Sequence, residues 1–111
     1  MDKTASLAKA KAFALQTSVD YAQDAVVSKT LVKKQAGSIT LFAFDAGQAL
    51  SEHTSPFDAV VQVLDGEAEI TIDGRPQSVS AGEMLIMPAG IAHALSAKTP
   101  FKMLLVMIRE K

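Results

Sequence analysis

From residue 26 onward the chain is cut into short apolar pieces, with a glycine, proline or aspartate turn signal about every eight to ten residues. Pieces of that length, rich in β-branched and large apolar side chains, read as short strands of an antiparallel sandwich or barrel. The candidate strands are 26–33, 38–45, 48–54, 59–65, 67–73, 75–80, 83–88, 92–98 and 101–109. Asp65-Gly66 and Asp73-Gly74 read as the clearest hairpin turns, because glycine and its acidic neighbour accept the positive φ of a tight turn. Pro88-Ala89-Gly90 predicts another turn, since proline has no donor for a ladder, and it would present His93 on the strand that follows.

Ahead of the strands the composition changes. Asp2 to Gln16 is mostly Ala, Lys and Leu, and Asp2 or Thr4 could cap the first amides, which predicts a helix of three or four turns. A stripe of Leu7, Ala10, Phe13 and Ala14 would dock it on a sheet. The expected organisation is a helix and lead-in over 1–24 and one β domain over 25–111. Ile39–Phe44 and Phe101–Ile108 carry large apolar side chains at odd and even positions, so both of their faces need cover. Either the amino-terminal helix supplies it or a second copy of the chain does, which makes a homodimer the expected assembly. Met84, Met87, Met103 and Met107 fall among leucines and isoleucines and read as core filler.

Charge and composition remove several functions. With 111 residues there is room for one core. Eleven basic against twelve acidic residues leave no basic stripe to release counterions, so no nucleic-acid partner is expected. Cysteine is absent, which excludes disulfides and thiolate chemistry. No apolar run approaches the ~20 residues that span a bilayer, so no membrane partner is expected and the cytoplasm is the expected location.

The two histidines, His53 and His93, sit in two glycine-bounded blocks, Gly47-x5-His53…Gly66 and Gly82-x5-Pro88-x-Gly90-x2-His93. These resemble the paired motifs of the cupin superfamily, in particular small single-domain bacterial cupins of the conserved-barrel type. The resemblance implies an all-β fold, a double-stranded antiparallel β-helix or jelly roll, here with a short N-terminal α-helix. It also implies a divalent metal held by three histidines and a glutamate. This chain departs from that set: Ser55 stands at the second histidine position, Ala59 at the glutamate and Ala97 at the asparagine closing the second motif.

Strand alternation puts Ser51, His53 and Ser55 on one face, and the resemblance turns that face inward, together with Val61, Val63, His93 and Leu95. These seven residues are the expected ligand pocket. His53 and His93 could hold zinc, nickel, copper, iron or manganese weakly, completed by water or a ligand carboxylate. Equally, they could be hydrogen-bonded packing residues, or one could act as a general base near neutral pH. No catalytic residue is assigned. Both arginines, Arg75 and Arg109, lie outside the expected pocket, which therefore lacks a fork for carboxylate or phosphate.

Three functions follow as expectations. The first is a small-molecule-binding barrel for a largely apolar or neutral ligand, including aromatic ones. The second is a metal-dependent enzyme, oxygenase- or isomerase-like, with a reduced two-histidine site. The third is a dimeric regulatory or interaction module.

Overall fold

The computed structural model describes residues 9–109. Nine strands form among them: β1 (Val26–Lys34), β2 (Gly37–Phe44), β3 (Ala49–His53), β4 (Asp58–Asp65), β5 (Glu67–Ile72), β6 (Arg75–Ser80), β7 (Met84–Met87), β8 (His93–Ser96) and β9 (Phe101–Ile108). They build two antiparallel sheets, a five-stranded one in the order β1-β2-β9-β4-β7 and a four-stranded one in the order β3-β8-β5-β6. The interleaved strand order is that of a jelly roll, and the all-β barrel read from the sequence is the fold.

The two Asp-Gly steps do different work. Asp73-Gly74 closes the β5–β6 hairpin, with Ile72 opposite Arg75 and positive φ at both residues, 51° and 78°, as a primed two-residue turn requires. Asp65-Gly66, expected as a hairpin, is instead a corner: β4 lies in one sheet and β5 in the other. Here the backbone of Pro100 and Phe101 crosses so closely that a Cβ on Gly66 would sit 2.2 Å from the Pro100 carbonyl oxygen.

Between the sheets lies an apolar core. Phe44 and Phe101 stack at 4.5 Å and, with Val61, Val63, Ile70 and Met103, are almost completely buried. Packing is tightest where β9 begins and loosens toward its end, where Leu105 and Met107 are only half-buried. That gradient leaves room for a site.

The expected N-terminal helix needs correction. Residues 9–16 form turns and irregular backbone, with Ala10 at φ 64°; its remaining part, 2–8, lies outside the described residues. A short alanine-rich helix with few large apolar side chains is marginal in water, and tertiary contacts favour a strap here. Leu15, Val19 and Tyr21 pack against Leu41, Ala43, Leu64 and Leu104 on the outer face of the five-stranded sheet. Lys29 Nζ donates to the Ser18 carbonyl at 3.1 Å, Lys102 Nζ donates to the Gln16 carbonyl, and Gln16 Nε2 donates to the Leu64 carbonyl. Tyr21 donates its hydroxyl proton to Asp65 at 2.6 Å, with Lys102 5.0 Å from its ring centroid. The strap thus covers part of the second face of β2 and β9.

Candidate functional site

β3 and β8 bring the histidines together. His53, the last residue of β3, pairs with His93, the first of β8, and their rings meet edge to face with centroids 4.4 Å apart. The Nε2 atoms are 3.1 Å apart. His53 Nδ1 lies 2.7 Å from the Ser51 carbonyl oxygen and His93 Nδ1 lies 3.2 Å from that of Ile91. A carbonyl oxygen only accepts, so these contacts favour the tautomer with hydrogen on Nδ1, in which the two Nε2 atoms face each other as acceptors. Two facing lone pairs attract a shared proton or a cation.

Burial separates the two rings. His93 is 2% exposed whereas His53 opens to the surface. Burial pulls the His93 pKa below the ordinary histidine value, the nearby His53 adds to the effect, and the bond to the Ile91 carbonyl opposes it.

The pair stands in the wall of a cavity of about 280 Å³, near the lower end of the roughly 300–1,000 Å³ typical of ligand pockets. Around it the lining is chiefly apolar: Leu50, Phe57, Ala59, Met87 and Leu95, with Met103, Leu105 and Met107 of β9. The structure brings His53, Ser55, His93 and Leu95 to this cavity. Val61 and Val63 are fully buried core residues on the same face of β4 as Ala59, and neither lines it.

Ser51 also falls outside the lining, and it is exposed. The cause is a bulge in β3: Leu50 pairs with Leu95 and His53 with His93, three steps on one strand against two on the other. The additional residue reverses the alternation. Leu50 therefore takes the inward position that strict alternation assigns to Ser51, whose carbonyl instead orients His53.

The loop after β3 forms one wall. Ser55 Oγ accepts the Phe57 N–H at 3.2 Å and the Ser55 carbonyl accepts the Gly90 N–H at 2.8 Å. Asp58 Oδ1 accepts the Ala89 N–H at 2.9 Å, so this exposed carboxylate holds the Pro88–Gly90 turn. Arg109, which the sequence puts outside the pocket, stands with its guanidinium 5.0 Å from the centroid of the cavity-lining Phe57 ring. Only the alternation of β9, carried one residue past the strand, could have signalled it.

As metal ligands the residues fit in part. Nitrogen ligands about 2.0–2.1 Å from an ion stand about 2.9–3.4 Å apart in neighbouring positions, and the two Nε2 atoms are already at that spacing. Ser55 offers a hydroxyl engaged in a turn and Ala59 offers no donor. No group of three or more His, Cys, Asp or Glu ligands occurs among the described residues. The donors suit a two-imidazole site open to exogenous ligands and do not supply a complete protein cage.

A family model described as a cupin domain matches residues 40–108. A conserved protein of unknown function from Streptococcus pyogenes has a crystal structure similar to this one at TM-score 0.91 and 43% identity, over 100% of this chain and 97% of that one. A cupin 2 conserved barrel domain protein from Leptotrichia buccalis is similar at TM-score 0.85 and 41% identity, over 87% of this chain and 47% of that one. An uncharacterized protein of Streptomyces coelicolor is 38% identical over 56 residues, 50% of this chain. The match covers 53%, about half, of that curated relative's length.

Proposed function

The chain belongs to the cupin family, and from that premise we propose that it is a small-molecule-binding cupin whose barrel encloses a compact, largely apolar ligand and whose histidine pair supplies the polar anchor. One observation carries this reading: a chiefly apolar cavity of about 280 Å³ meets a concentrated polar feature at His53 and His93. Apolar lining gives affinity through area removed from water, and a few convergent polar atoms fix orientation. A screen of small aromatic and aliphatic compounds by thermal shift tests it, with an Ala59→Leu variant that fills the cavity as control. Ligands should raise the Tm of the wild type and not of the variant. Equal shifts in both proteins, or none in the wild type, would sink the reading.

A second reading draws on the Nε2 spacing. With His53 and His93 as neighbouring ligands on a divalent ion such as zinc, nickel, copper, iron or manganese, the open positions would take a substrate oxygen. The metal would supply Lewis-acid or redox chemistry. The apolar wall would exclude water and orient the substrate body, while the Ser51 and Ile91 carbonyls hold the imidazoles in the ligating tautomer. Elemental analysis of protein purified without a histidine tag separates the readings: near-stoichiometric metal that both His→Ala variants lose favours the second.

For assembly, the proposal is a homodimer through the outer face of the five-stranded sheet. Val32, Ile39, Val106, Val60 and Ile86 form one row across all five strands. The row carries no charge, it is centred on β9, and Val32 and Ile86 at its ends are 41% and 56% exposed. A two-fold axis through the middle strand would lay this row on its own copy, which makes a second chain the occupant it fits.

A further inference from the structure

Arg109 stands beside Phe57 of the cavity wall, and its position follows from the strand before it. Met103, Leu105 and Met107 line the cavity as alternate residues of β9. Alternate residues of a strand share a face, and the next in that series is Arg109. Its N–H still bonds the Ala36 carbonyl at 2.7 Å, so its backbone is held although β9 has ended. The guanidinium stands 5.0 Å from the centroid of the Phe57 ring, within cation–π range, and Phe57 lines the cavity.

This guanidinium makes no ion pair with a described acidic residue; the side-chain ion pair found among the described residues is Lys98–Glu69. Asp58, next to Phe57 in sequence, spends Oδ1 on the Ala89 N–H. A planar fork of N–H donors is thus carried at the end of an apolar cavity wall, and its natural complement is a carboxylate accepting two parallel hydrogen bonds. The cavity below suits a compact apolar body: about 150 Å³ is enough for benzene, and about 280 Å³ is present.

We propose that Arg109, stacked on Phe57, is a specificity-determining residue that selects monocarboxylates, with the carboxylate at the rim and a ring-sized apolar body in the cavity. The inference rests on the reading of this cavity as a small-molecule site and adds the charge of the ligand. It assigns Phe57 two tasks, wall of the cavity and platform for the guanidinium.

Matched probes test it: phenylacetate against phenylacetamide and hexanoate against hexanamide, titrated calorimetrically into the full chain at fixed ionic strength. In the wild type each carboxylate should bind roughly tenfold tighter than its amide, as a charge-assisted fork requires. In Arg109→Gln the ratio should fall to about one, the larger loss falling on the carboxylate. Arg109→Lys should keep part of the preference, and added salt should weaken carboxylate binding alone. If Arg109→Gln keeps the preference, or wild-type protein binds acid and amide equally, Arg109 is not the selector, while the cavity reading stands. If neither member of a pair binds better to wild type than to the Ala59→Leu control, the cavity reading fails and this inference falls with it.

Discussion

His53 and His93 face each other Nε2 to Nε2 across 3.1 Å, with each Nδ1 set against a backbone carbonyl oxygen. The relationship is symmetric in bonding and asymmetric in burial, since only His93 is enclosed. Replacing the two should therefore have unequal consequences.

His93→Ala removes a buried ring and leaves a void continuous with the cavity, and we expect a loss of about 1–3 kcal/mol, in the range for buried side-chain truncation. His53→Ala should cost less than about 1 kcal/mol, because the ring opens to solvent. Urea unfolding of both variants checks the order, and equal losses would contradict the asymmetry.

Acid should act through His93. Its folded-state pKa lies below the ordinary value, so the unfolded chain binds the proton more readily. The associated stability is fully present above the unfolded value, about 6.5, and is lost as pH falls toward the lowered folded value. Midpoints of thermal unfolding between pH 8 and pH 5 should decline for the wild type, and His93→Gln should remove part of that slope. A slope unchanged in the variant would assign the acid sensitivity elsewhere.

The two turn glycines provide a comparison in which backbone angle is nearly constant and space is not. Gly66 has φ 74° and Gly74 has φ 78°. A Cβ on Gly66 meets the Pro100 carbonyl at 2.2 Å, whereas one on Gly74 meets nothing within 4 Å. Gly74→Ala should cost about 1 kcal/mol for the left-handed conformation alone. Gly66→Ala must in addition displace backbone and should cost about 3 kcal/mol or more. Similar unfolding midpoints for both variants would refute the close approach at the corner.

For the outer sheet face the expected outcome is a dimer in sedimentation analysis at micromolar concentration that Val106→Lys converts to a folded monomer. Val106 lies midway along the apolar row, so a charge there is opposed by its own copy across a two-fold axis. A monomeric wild type, or a dimer indifferent to this change, removes the proposed interface.

Much of this architecture is legible in the residues because strands and turns are local. The Asp73-Gly74 hairpin and the Pro88–Gly90 turn before His93 follow from φ preferences and the missing proline donor, and both form as read. Asp65-Gly66 carries the same local signal, yet it turns a corner between sheets, packed against Pro100 and Phe101 far along the chain, a placement no local signal encodes. Ser51 and Leu50 exchange roles for a similar reason: one bulge reverses the alternation, and no residue type in Ala49–His53 announces it. At residues 9–16 helix propensity yields to contacts that only the folded sheet offers, as with Leu15 against the face that holds Leu41. Arg109 escapes motif reading because its neighbour at the site, Phe57, is joined to it only by the fold.

The strap before β1 has a consequence for how its path is encoded. Two of its tethers run from barrel lysines, Lys29 and Lys102, to main-chain carbonyls of Ser18 and Gln16. A carbonyl is present whatever residue carries it, so these tethers ask nothing of the side chains they hold. Much of the instruction for the segment's course is therefore written in the barrel it crosses. The side chains at those two positions serve separate contacts, Gln16 Nε2 to the Leu64 carbonyl and Ser18 Oγ to the Ala14 carbonyl, while Leu15, Val19 and Tyr21 fill the sheet beneath.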